Sequence, residues 1–245
     1  MIAKNLNRIE NIDFALGETV LIDKNKGCSS YYAVHRVKRT TGIKKVGHAG
    51  TLDPMASGLL IICTGKATKT IETFQDMPKV YTGTFCLGQT TDSFDSETEP
   101  SEVTETDYIT EAMLDEARNR FIGEISQMPP MYSAVKHKGK ALYKYARKGV
   151  EIKRNERIVS VYEFDIKTEN KPFVDFRIKC SKGTYIRSIA NDFGKALGCG
   201  AYLYSLRRES IGEYNVRDAF SVDEFTEKFR TDSKGKTEIN TDESL

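Results

Sequence analysis

One carboxylate in this chain stands out by its surroundings. Asp53 lies within Gly47-His48-Ala49-Gly50-Thr51-Leu52-Asp53-Pro54-Met55-Ala56-Ser57-Gly58, immediately before the apolar run Leu59-Leu60-Ile61-Ile62-Cys63. Glycines admit backbone angles that other residues avoid, so the stretch reads as a tight, shaped loop. Pro54 sets its own φ and drives Asp53 towards an extended conformation. The apolar run reads as a buried strand. A carboxylate held by a rigid loop beside a core strand is placed for chemistry, as a nucleophile or as a base. His48 is the second titratable group of the loop. Asp-Pro and Gly-rich turns are common and most are only turns, so the loop alone makes Asp53 a candidate and no more.

Other chemistries find less support. The five cysteines (28, 63, 86, 180 and 199) are odd in number and lack CxxC spacing. They read as reduced, mostly buried thiols, without a disulfide framework or a zinc site. The three histidines, His35, His48 and His137, are scattered, which argues against a metal enzyme. Hydrophobic content of 39% and charged content of 29% suit a soluble globular protein. No apolar run approaches the roughly 18 residues of a membrane span. Met1-Ile2-Ala3-Lys4-Asn5-Leu6 lacks the apolar core of a signal peptide, so a cytoplasmic location is expected.

Net charge is only +2, but it is unevenly spread. Asp92–Glu116 carries ten acidic residues and no basic one, and an exposed loop is expected over 92–108. Met131–Arg157 carries nine Lys/Arg against Glu151 and Glu156, and Lys24–Lys45 carries seven against none. Charge runs are often only solvated faces. Here tyrosines interleave with the basic residues: Tyr31 and Tyr32 in one zone, Tyr132, Tyr143 and Tyr145 in the other. Lys and Arg answer phosphates and tyrosine faces stack on bases, which points to a nucleic acid.

These groups need elements to position them. Thr19–Asp23 reads as a first strand. A helix capped by Ser29 or Ser30 is expected to run to about Thr40, with Gly42 ending it. Lys79–Leu87 alternates as a strand, with Tyr81, Phe85 and Leu87 on one face. A helix is expected from Glu111 to Ile122, and a short basic one near Ala141–Lys148. Ile158–Ile166 and Phe173–Cys180 read as paired strands. Ile186, Ile189, Ala190, Phe193 and Leu197 form a helical stripe stopped by Gly198. Tyr202–Arg208 reads as a strand, and Ser221-Val222-Asp223-Glu224 as a capping box opening a helix to about Phe229. Residues 231–245 are polar and read as disordered. Strands mixed with helices, without regular alternation, indicate an α+β fold with a largely antiparallel sheet.

Gly47–Pro54 resembles the signature loop of the TruB family of tRNA pseudouridine-55 synthases. Further segments resemble that family in order along the chain: Lys79-Val80-Tyr81 with Leu87–Asp92, Gln127–Lys136, Ser181–Ser188, and Leu206-Arg207-Arg208. The resemblance covers about Thr19 to Tyr214. It implies the pseudouridine synthase fold, a mixed and mostly antiparallel central sheet flanked by helices and loops. It also implies the isomerisation of one uridine in the tRNA T-loop to pseudouridine. The glycosidic bond breaks, the uracil turns, and C5 joins C1′. Nothing is oxidised and no group arrives from outside, so no cofactor or metal is expected.

By the same resemblance Asp53 matches the catalytic aspartate, Arg187 the arginine that pairs with it, and Tyr81 the active-site tyrosine. Tyr185 and Leu206 match pocket-lining positions, and His48 an RNA contact near the flipped-out nucleotide. Residues of about 128–157 fall where the family carries an insertion that closes over the T-loop. Lys136, Lys138, Lys140, Lys144, Arg147 and Lys148 are the candidate phosphate contacts there. The expected organisation is a catalytic domain over 1–220, then a helix and polar tail over 221–245. Many family members continue into an RNA-binding PUA domain; none is expected here, and a monomer acting on the tRNA T-stem-loop is. Asn25 departs from the family's usual proline. The alternative reading is an RNA-binding or tRNA-folding protein on the same scaffold with secondary activity. An unrelated carboxylate hydrolase is disfavoured, since no second acid, metal cluster or Ser/His pair is evident.

Overall fold

The computed structural model describes residues 1–4 and 12–230. The polar tail expected over 231–245 lies outside them. In chain order the first elements are β1 (Thr19–Lys24), α1 (Ser30–Thr41), β2 (Val46–His48), β3 (Ser57–Thr64), α2 (Ile71–Asp76) and β4 (Lys79–Leu87). Next come α3 (Glu111–Asn119), β5 (Gly123–Gln127), β6 (Lys136–His137), β7 (Lys140–Ala141) and α4 (Tyr143–Ala146). The last are β8 (Arg157–Asn170), β9 (Phe173–Cys180), α5 (Ile186–Leu197), β10 (Ala201–Ile211), β11 (Tyr214–Asn215), β12 (Phe220–Ser221) and α6 (Val222–Lys228). The chain divides into two units, one of residues 1–79 and 207–245, the other of residues 80–206.

In the first unit β1 lies between β12, to which it is parallel, and β3, to which it is antiparallel. The Leu59–Cys63 run of β3 is apolar because both its faces are buried. Leu60 and Ile62 join Val20, Ile22, Val34, Val37, Phe225 and Phe229 on one side. Leu59, Ile61 and Cys63 join Leu21, Phe74 and Ile211 on the other. Helix α1 is built as its sequence reads. Ser29 accepts a hydrogen bond from the Tyr32 N–H, and Gly42 ends the helix at φ 71°. The capping box at Ser221 and Glu224 is closed in both directions.

The second unit orders its strands as the first half of β10, then β4, β9, β8 and β5. α5 buries the predicted stripe, and Phe193 packs with Phe85 and Phe164. Gly83 of β4 shows how closely the strands approach: a Cβ there would lie 2.2 Å from the Ser205 oxygen.

Several expectations need correction. The helix expected over Glu111–Ile122 ends at Asn119, and the missed strand β5 follows it. Around the short basic helix, the structure forms the β6–β7 hairpin first and helix only over Tyr143–Ala146. The turn at Gly65–Thr70 and helix α2 were not anticipated. The acidic stretch 92–108 is not uniformly an exposed loop: Ser93 and Asp95 are 0% and 1% exposed. The cause is backbone pairing to β10, with the Leu203 N–H donating to the Phe94 carbonyl and the Ser96 N–H donating to the Leu203 carbonyl.

Candidate active site

Asp53 belongs to the first unit. Its loop spans 49–56, between β2 and β3, which pair antiparallel with His48 opposite Ile62. The second edge of β3 is shared, since Ser57 and Gly58 pair parallel with Arg207 and Arg208. Gly58 is required at that crossing: at φ 105° a Cβ would lie 2.3 Å from the Arg208 carbonyl oxygen.

Every second residue of the loop is tied through its main chain. Arg208 Nη2 donates to the Gly50 carbonyl at 3.1 Å, while its Nε donates to the Leu59 carbonyl at 2.7 Å. Ser30 Oγ accepts from the Leu52 N–H at 2.8 Å and donates to the Leu52 carbonyl at 2.9 Å. The Gly27 N–H donates to the Pro54 carbonyl at 2.8 Å. The buried Lys24 ammonium donates to the carbonyls of Ala56, Cys28 and Asn25 at 2.5, 2.7 and 3.0 Å. Lys24 and Arg208 are therefore buried cations satisfied by peptide oxygens, which offsets the cost of removing them from water. Asp53 itself is half-buried.

His48 ends β2. Burial lowers its imidazole pKa, the neighbouring Arg208 charge lowers it further, and a hydrogen bond with Gly50 acts in the opposite direction. Its Nδ1 is buried without a hydrogen-bond partner.

Tyr81, Tyr185, Arg187, Leu206 and the six basic candidates belong to the second unit. Tyr81 and Leu206 stand half-buried on the neighbouring strands β4 and β10. Arg187, in the first turn of α5, is 4% exposed and not a surface residue. Its Nε lies 3.5 Å from Asp95 Oδ2, and its Nη1 donates to the Ser93 carbonyl at 3.2 Å. Asp95 Oδ1 accepts from Ser93 Oγ at 2.6 Å and from the Glu97 N–H at 3.0 Å. This buried acid orients a buried guanidinium, and sequence reasoning missed it. Asp95 sits in a run of acids that reads as solvated, and nothing in its spacing separates it from its neighbours.

Tyr185 precedes α5. Gln127, at the end of β5, clamps its backbone: Oε1 accepts from the Tyr185 N–H at 2.7 Å and Nε2 donates to the Tyr185 carbonyl at 3.0 Å. Lys136, Lys138, Lys140, Lys144, Arg147 and Lys148 are all exposed. Among the described residues no group of three His, Cys, Asp or Glu side chains is placed to hold a metal. In the same residues no helix is long and apolar enough to cross a membrane.

Solved structures define the class of fold. A Cbf5–Nop10–Gar1 complex matches at a TM-score of 0.67 and 27% identity, covering 88% of this chain and 55% of that one. An H/ACA ribonucleoprotein matches at 0.65 and 23%, covering 93% and 62%, and so supports the fold alone. Sequence narrows the class. The model of the TruB family pseudouridylate synthase N-terminal domain matches residues 38–186. That of the tRNA pseudouridylate synthase B C-terminal domain matches residues 187–241. The tRNA pseudouridine synthase B of Flavobacterium johnsoniae is 46% identical, over 89% of this chain and 98% of that protein. That of Chloroherpeton thalassium is 47% identical, over 86% and 90%. The chain belongs to the TruB family of pseudouridylate synthases.

Proposed function

We propose that this protein isomerises uridine-55 in the T-loop of tRNA to pseudouridine. The near full-length match to proteins named tRNA pseudouridine synthase B carries this reading. The rigid mounting of Asp53 supports it independently. The reaction breaks the bond between N1 and C1′, rotates the uracil, and forms the bond between C5 and C1′. The C5 proton leaves and N1 regains one, so atoms and electrons balance without an oxidant, reductant or cofactor.

In this reading the Asp53 carboxylate acts on the nucleoside or at its sugar. Arg187 is the counter-charge for that carboxylate, and its guanidinium is held in orientation by Asp95. Tyr81 offers its ring to the extracted uracil and its oxygen to the departing C5 proton. Tyr185 and Leu206 line the pocket, and His48 contacts the displaced nucleotide. Extraction of the base costs a few kcal/mol, which contacts to the RNA backbone offset. Lys136, Lys138, Lys140, Lys144, Arg147 and Lys148 supply such contacts. A cytoplasmic, monomeric enzyme is part of the same reading.

Site-specific pseudouridine mapping on unmodified tRNA transcripts tests it. The protein as it stands is expected to modify the T-loop uridine. Asp53→Asn is expected to abolish product while leaving tRNA affinity nearly unchanged. Conversion by purified Asp53→Asn would remove Asp53 from the chemistry and leave RNA binding or folding as the main activity.

A further inference from the structure

Among the described residues three arginines lie over tyrosine rings: Arg36 over Tyr32 at 5.8 Å, Arg147 over Tyr143 at 5.5 Å, and Arg157 over Tyr185 at 5.3 Å. The first is neutralised, with Arg36 Nη2 3.0 Å from Asp223 Oδ1. In the same residues no carboxylate pairs with Arg147 or Arg157. Nearby Arg154 is different again, since it pairs with Glu151 at 3.2 Å and donates to the Pro129 carbonyl at 3.0 Å. Arg147 is already a candidate phosphate contact. Arg157, at the boundary of the basic segment, repeats its arrangement in a far more rigid setting.

That setting is built from three elements. Arg157 opens β8 and is the cross-strand partner of Gln127 in β5. Gln127 clamps the backbone of Tyr185, and the Tyr185 ring carries the Arg157 guanidinium. Gly183 flanks the same guanidinium; even a Cβ added there would stop 3.7 Å from Arg157 Nη1. The ring contact restrains the guanidinium, and a guanidinium can take a phosphate through two bonds. A half-buried cation with no carboxylate partner among the described residues can take an anion from outside.

We infer that Arg157 holds a backbone phosphate of the RNA substrate beside the nucleotide presented to Tyr185. The inference rests on the reading of Tyr185 as a pocket-lining residue. It assigns one face of that ring to Arg157, so the face is not free to stack on a base.

The test uses the full chain and unmodified tRNA transcripts. Arg157→Met keeps an unbranched side chain over Tyr185 but removes the charge, and Arg157→Lys keeps the charge. Arg157→Met is expected to weaken tRNA binding about tenfold and to lower the slope of log affinity against log salt by about one ion. Arg157→Lys should restore the salt slope but only part of the affinity, because an ammonium neither stacks on the ring nor takes a phosphate through two bonds. Transcripts carrying one neutral methylphosphonate linkage at a time around the target uridine locate the partner. One linkage should weaken binding by the wild-type protein and add nothing to the loss in Arg157→Met. An unchanged salt slope in Arg157→Met overturns the inference, including when thermal stability falls, because the residue is then only structural. So does the lack of any linkage whose effect Arg157→Met absorbs. Absence of pseudouridine formation by the wild-type protein is a separate result and counts against the proposed function, since the binding measurements do not depend on turnover.

Discussion

The Asp53 loop and the basic segment 131–157 are built on opposite principles. Around Asp53, residues 50, 52, 54 and 56 each have a main-chain group held by a partner from outside the loop. In the basic segment, two-residue strands meet at a turn where Lys138 and Gly139 both have positive φ, 47° and 80°. A four-residue helix follows, and Leu142 is the segment's buried apolar anchor at 1% exposure. Covalent chemistry needs a carboxylate fixed to a fraction of an ångström. A phosphate contact does not, because charge acts over a Debye length of about 8–10 Å in physiological salt. The loop therefore spends buried hydrogen bonds on position, while the segment presents exposed cations on light scaffolding.

Substitutions in each region put this contrast to the test. The largest effect expected after loss of Asp53 itself is from Asp95→Ala. It removes a carboxylate partner from a buried guanidinium, and breaking a buried pair costs about 3–5 kcal/mol. Thermal unfolding and single-turnover rates should both fall sharply; a normal rate would show that Asp95 does not orient Arg187. Ser30→Ala comes next. It removes the one hydroxyl that serves both the N–H and the carbonyl of buried Leu52, at about 1–3 kcal/mol for each group left unsatisfied. The turnover rate should drop at least tenfold with tRNA affinity unchanged. If affinity falls and the rate holds, the loop is not the rigid mount described above.

Neutralising Lys136, Lys138 and Lys140 together should do the reverse. It should weaken binding and lower its salt slope by about three ions, with single-turnover chemistry at saturating tRNA nearly intact. An unchanged salt slope would take this hairpin out of the interface. The smallest effect concerns His48. Its folded pKa lies below the ordinary value of 6.5, so the unfolded chain binds its proton more readily. The stability contribution is complete above pH 6.5 and is lost as pH falls below it. His48→Gln should flatten that part of the stability curve, which urea titrations from pH 7 down to pH 5 would detect.

Much of the fold is legible locally. The ends of α1, the α5 stripe and the Ser221 capping box follow from side chains within a few positions of one another. Misses came where a tertiary partner overrides local pattern. Helix α3 stops at Asn119 although apolar spacing continues to Phe121, and the chain instead turns into β5, which pairs with β8. Lys79 reads as a polar residue on a strand, yet it is 6% exposed because its ammonium reaches the Phe74, Gln75 and Met77 carbonyls at the end of α2. Arg157 reads as one more positive charge, and only the folded chain separates it from Arg154: Arg157 meets a ring where Arg154 meets Glu151.

Residue types and short spacing place Asp53 in a stiff glycine-bounded loop before a core strand. They also interleave basic with aromatic residues, and they order the motifs that resemble one RNA-modifying family. Those properties are local to the chain. Long-range packing makes Ser30, Lys24 and Arg208 tie the loop, sets Asp95 against Arg187, and frames Tyr185 with Gln127 and Arg157. Arg187 and the Ser93 carbonyl it binds are 94 positions apart, and no periodicity links residues at that distance. What selects such pairings is the cost of leaving a buried charge or peptide group without a partner, and that cost arises only once the chain has folded.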